Sequence, residues 1–110
     1  MSSMSDAMRI YKEAFQAFAR GDVDTAITGY QNAIATDPTF SLAYQAMAEA
    51  YGRRGDLEQA ISAIRRAIAA DPEESLYLTS LSRFLQRQGK IPEAEEAAAH
   101  ALRLQQARRA

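Results

Sequence analysis

Residues 41–74 read SLAYQAMAEAYGRRGDLEQAISAIRRAIAADPEE, and weaker versions of the same pattern stand on both sides of it. A shift of 34 residues pairs Gly21 with Gly55 and Gly89, Ala26 with Ala60 and Ala94, and Ala33 with Ala67 and Ala101. The same shift lays Asp37-Pro38 on Asp71-Pro72. Glycine and proline number only 5 and 3 in the chain, so their shared period is not a by-product of an alanine-rich composition. A period of this size marks stacked supersecondary units, each unable to bury its apolar face alone.

Each unit reads as two helices. In the middle copy, apolar residues recur at three- and four-residue steps from Leu42 to Arg54; Gly55 then stops the run, because only glycine closes a helix in the left-handed region without a Cβ penalty. Asp56-Leu-Glu-Gln59 is arranged as a capping box for the next helix. Ala60, Ile61, Ile64, Ala67 and Ile68 form its apolar stripe, and Asp71-Pro72 ends it, since the residue before proline is pushed away from helical geometry. The first copy follows the same grammar. A lead of residues 1–6 with a cap at Ser5 or Asp6 precedes a helix over Ala7–Arg20, Gly21 closes it, Asp22 caps a second helix, and Asp37-Pro38 terminates that one. The third copy drifts: Lys90-Ile91-Pro92 replaces the acidic cap, Glu95 stands where Ile27 and Ile61 stand earlier, and Ala98 replaces Tyr30 and Ile64. A terminal unit with a more polar outer face is what a stacked array requires.

Tyr44-x-x-Met47-Ala48-x-x-Tyr51, followed by Ala60-x-x-x-Ile64 and Pro72, resembles the tetratricopeptide repeat, a helix-turn-helix of this length. The resemblance implies an all-α, right-handed superhelix of three helix pairs, with repeats over residues 7–40, 41–74 and 75–108. It also implies a protein-binding module whose first helices line a concave face.

The totals agree with one folded domain. The chain has 110 residues, 47% hydrophobic and 25% charged, which is enough to build a core. A net charge of -1 provides no global field toward nucleic acid or an acidic membrane, so neither is expected as a partner. Cysteine is absent, which removes disulfides and thiolate chemistry together. No basic start followed by an apolar run opens the chain and no run of apolar residues is long enough for a membrane span, so a cytoplasmic protein is expected.

Chemistry is not expected from these residues. His100 is the only histidine and is flanked by Ala99 and Ala101; a zinc site needs several nitrogen or sulfur ligands. Glu93, Glu95 and Glu96 are explained by a helix N-terminus, which favours negative charge. Gly52-Arg-Arg-Gly55 matches no phosphate-binding loop. The expectation is therefore no enzyme, no metal and no cofactor.

Surface shape carries the functional reading. Helical spacing assigns Tyr11, Lys12, Phe15 and Phe18 to the concave face from the first repeat, with Met8 and Ala19. The second repeat adds Gln45, Glu49 and Arg53, with Leu42, Ala46 and Gly52; the third adds Thr79, Arg83 and Arg87, with Leu76, Ser80 and Gln86. This groove is aromatic at one end and basic at the other, which suits a peptide with apolar anchors and an acidic end. Tyr11, Phe15 and Phe18 are equally compatible with core packing, because a helix apolar nearly all round must expose some of its side chains. Chaperone-binding members of the resembled family hold a C-terminal carboxylate with a Lys/Asn/Asn/Lys/Arg clamp; the matching positions here hold Tyr11, Phe15, Ala46, Leu76 and Ser80, so that activity is not expected. The second expectation is a homo-oligomer formed through the C-terminal end, with Leu102 and Leu104 as its contacts.

Overall fold

The structure, a computed structural model, describes residues 3–109. It contains six helices: α1 (Ser3–Ala19), α2 (Val23–Thr36), α3 (Ser41–Arg54), α4 (Leu57–Ala70), α5 (Ser75–Arg87) and α6 (Ile91–Arg109). Each helix packs on the next in sequence, α1 also brushes α3, and contacts beyond these neighbours are almost absent. The helices thus form a stacked row of pairs, a slab of 40 × 33 × 19 Å.

The turns follow the residues that punctuate the sequence. Gly21, Gly55 and Gly89 adopt φ of +85°, +85° and +80°, the left-handed closing conformation. Asp37 and Asp71, ahead of the prolines, are extended at φ -140° and -144°. Asp56 caps α4, its carboxylate accepting the Gln59 N–H at 3.3 Å. Asp22 occupies the same place before α2, but its side chain makes no capping bond; only its carbonyl joins the helix, accepting from Ala26 N–H at 3.1 Å.

The start of the chain departs from the expected lead. Helix α1 begins at Ser3, so Ser5 and Asp6 lie inside its first turn instead of capping it; Met1 and Ser2 fall outside the described residues. The first four N–H groups of any helix lack intrahelical partners, and Asp6 within that turn is favoured by the positive end of the helix dipole.

Small residues set how closely the helices of a pair approach. Ala26, Ala60 and Ala94 are fully buried at matching positions of α2, α4 and α6. Across the first pair, a Cβ built on Gly29 would lie 2.6 Å from the Ala14 Cβ, so the backbone approach itself requires glycine there. In the third pair Ser82 donates its hydroxyl to the Ala94 carbonyl at 2.7 Å, which satisfies a polar atom inside an otherwise apolar contact.

Larger side chains fill the space between pairs. Tyr30, Ile64 and Phe84 are the largest fully buried ones, at 1%, 0% and 1% exposure. Tyr11 leans over Tyr30 and Phe40, with ring centroids 5.7 and 5.4 Å apart. Burial pushes the Tyr30 phenol up to about 12, with a smaller contribution from Tyr11. Because the folded protein holds this proton more tightly than the unfolded chain, the associated stability is complete below pH ~10 and is lost as pH rises from there through ~12. Denaturant midpoints measured from pH 9 to 12 should fall accordingly, and Tyr30→Phe should fall less steeply than the parent; parallel curves would disprove it.

Candidate functional site

The first helices of the three pairs place an open groove between α1, α3 and α5. It is lined by Phe18 from α1, Glu49, Gly52 and Arg53 from α3, and Arg83, Phe84 and Arg87 from α5. The 34-residue period writes the site. Residues one period apart lie side by side on adjacent first helices, so a side chain from one repeat reaches its counterpart in the next.

Three guanidinium groups are held in that way. Arg53 stacks over the Phe18 ring, 4.5 Å from its centroid, a cation–π contact that also keeps the charge at the surface. Arg83 donates from Nη2 to Glu49 Oε2 at 2.6 Å, while the Ser80 hydroxyl donates to the same oxygen at 3.2 Å. Arg87 donates from Nη2 to the Gly52 carbonyl at 3.1 Å. That last contact depends on glycine: a Cβ at position 52 would come 2.7 Å from Phe84 Cε1 and 3.4 Å from Arg87 Nη1. Within the lining, three cationic side chains stand against the single carboxylate of Glu49, so the groove is electropositive in a protein whose net charge is -1.

Several residues assigned to the concave face by spacing do not line this groove. Phe15 is 51% exposed, whereas Tyr11 lies half-buried against Tyr30 and Phe40 and contributes to packing. Burial, then the neighbouring Tyr77, raises the Tyr11 phenol above its ordinary value. Lys12 faces outward with Met8, Arg9, Glu13 and Gln16 on the free side of α1. Thr79 and Gln86 turn away from the groove into a second cleft, shared with Ala98, Leu102 and Gln105 of α6. Gln45 is half-buried, while Ala46 and Ser80 are buried at 8% and 2% exposure. Phe84 was absent from the sequence-based list, yet it forms part of the groove floor. At 1% exposure it belongs to the core as well.

The tetratricopeptide repeat family model matches residues 17–83, more than half of the chain. The chain belongs to the tetratricopeptide repeat family. Domains of this family are in general binding modules without catalysis of their own. Solved repeat structures superpose closely. MamA is 24% identical with a TM-score of 0.90, over 93% of this chain, which spans only 60% of the MamA chain. The second TPR of Spaghetti (RPAP3), bound to the HSP90 peptide SRMEEVD, is 25% identical with a TM-score of 0.87; 92% of this chain and 94% of that one are covered. SycD, a type III secretion translocator chaperone of Yersinia enterocolitica, is 20% identical at a TM-score of 0.87, with 91% and 76% covered. No curated protein matches the chain.

Among the described residues of this repeat protein, no helix is long and apolar enough to cross a membrane.

Proposed function

We propose that this tetratricopeptide repeat protein is an interaction module that captures a peptide segment of a partner in the groove formed by α1, α3 and α5. The observation that carries the reading is the set of three arginines, Arg53, Arg83 and Arg87, fixed on ring faces, a carboxylate and a backbone carbonyl within one groove. Arginines already ordered by the protein lose little further rotamer entropy when they meet a ligand. Phe18 gives the groove an apolar end, and Phe15, 51% exposed, lies about one helical turn before it on α1. A ligand with an acidic end and one or two apolar anchors suits that layout, with an affinity on the order of micromolar for a groove of three repeats.

Spaghetti's second TPR holds an acidic peptide, SRMEEVD. Recognition here is proposed to differ from the terminal-carboxylate clamp, since Tyr11, Phe15, Ala46, Leu76 and Ser80 provide no cation at the clamp positions. The arginines available lie at other positions and suit side-chain carboxylates along a chain as well as a terminal one.

The test is a panel of fluorescently labelled acidic peptides, alongside partner pull-down, with the parent and with Phe15→Ala combined with Arg83→Glu. Binding should weaken at least about tenfold, since reversing one groove charge removes an attraction and introduces a repulsion. The weakening should shrink as salt rises. Unchanged retention of every partner by the double variant would remove the groove as the binding surface.

A further inference from the structure

We infer that the outer face of α6 is a dimerisation surface, on which a second copy of this chain docks across a two-fold axis passing beside Leu102. The inference goes beyond peptide capture: of the groove's arginines only Arg83 also borders this cleft, and its test alters none of them.

The third repeat leaves a packing surface uncovered. On α2, Ile27 and Tyr30 are buried and Ile34 packs beside Phe40 and Ala43, while on α4 Ile64 is buried and Ile61 and Ile68 pack against the core. One period further on, the same register of α6 holds Glu95, Ala98 and Leu102, all exposed, with Leu102 at 53%. The cleft between α5 and α6 is therefore the counterpart of the sites that α3 and α5 fill after the first and second repeats. Leu104 is not part of this face: it packs half-buried against the core, so of the two leucines only Leu102 is presented outward.

The other end of the molecule is unsuited to fill the cleft. In register with Ala43, Met47 and Ala50 of α3, helix α1 has Arg9, Glu13 and Gln16, with Arg9 Nη1 on Glu13 Oε1 at 3.4 Å. Both charged side chains are more than 60% exposed, and head-to-tail stacking would carry them out of water against Leu102 and Ala98. An open array is disfavoured, which leaves a closed, self-complementary contact.

The charge pattern of α6 supplies that complementarity. Glu95, Ala98, Leu102, Gln105 and Arg109 alternate three- and four-residue steps and so share one face of the helix. Glu95 lies seven residues before Leu102 and Arg109 seven after it, about 10 Å away along the helix in each direction. Two α6 helices crossing antiparallel at Leu102 therefore bring leucine onto leucine and set Glu95 of each copy against Arg109 of the partner subunit. Parallel helices would set like charges together. Thr79, Arg83, Gln86 and Gln105 form the polar rim of the contact. A contact confined to one helix face, with a single leucine at its centre, supports a weak dimer, with a dissociation constant on the order of tens of micromolar.

Sedimentation equilibrium of the full chain should show a monomer–dimer equilibrium that stops at two copies of the 12.1 kDa chain. Leu102→Glu should abolish it. Glu95→Arg or Arg109→Glu alone should weaken it roughly threefold to tenfold at low salt, and the two together should restore it to within about twofold, because the swapped pair is again complementary. The chain has no cysteine, so Leu102→Cys provides an independent reading: mild oxidation should give a disulfide-linked dimer at least about tenfold faster than Ala69→Cys, an exposed position on α4. A monomer at every concentration up to about 1 mM would overturn the proposal. Mass that keeps growing past the dimer, a dimer unaffected by Leu102→Glu, or no rescue by the double charge swap would each overturn it as well.

Discussion

Phe84→Ala is expected to lower the unfolding free energy by about 3–5 kcal/mol, the usual range for truncating a buried aromatic ring. The ring is 1% exposed, forms the floor of the groove, and fills the place beside Gly52 where no Cβ fits. The loss should also be uneven along the chain. In a stacked array, stability is close to a sum of repeat and neighbour-interface contributions, and Phe84 belongs to the interface joining the third repeat to the second. Hydrogen exchange should therefore show α5 and α6 opening well before α1 to α4, with urea melts losing their single steep transition. Phe15→Ala, which removes a ring that is 51% exposed, is the control and should change stability by less than about 1 kcal/mol. Equal midpoints for the two variants would show that the ring is not a keystone between repeats.

The second large effect is overpacking within a pair. Ala60 is fully buried where α4 meets α3, and its counterparts Ala26 and Ala94 are equally closed in. A phenylalanine at position 60 has no cavity to enter, so it must separate the two helices, at about 1–3 kcal/mol. Ala69, one position from the exposed end of the same helix, tolerates the same substitution because its side chain points to solvent. Thermal melts of Ala60→Phe and Ala69→Phe separate the two cases: the first should melt clearly lower, and coincident melts would contradict close helix approach as the role of alanine. Both variants add the same apolar surface to the chain, so the comparison cancels any effect on the unfolded state.

The period, the six helices and their turns were legible in the sequence because each depends on local chemistry repeated three times. Glycine alone takes the left-handed closing position cheaply, aspartate before proline must extend, and alternate three- and four-residue spacing of apolar groups defines a helix face. The same spacing identified Arg53, Arg83, Arg87, Glu49 and Phe18 as neighbours on one surface, since a residue and its counterpart one period later must lie side by side once the pairs stack. Tertiary structure alone decided the rest. Spacing around one helix cannot say which neighbour claims a side chain: Tyr11 was drawn into the packing with Tyr30 and Phe40, while Thr79 was turned into the α5–α6 cleft. Nor can it say that Arg87 would find the Gly52 carbonyl or that Phe84 would serve as core and groove floor together. Those outcomes depend on the angle and distance between helices, which the small residues Ala14, Gly29 and Gly52 set only when the whole row is assembled.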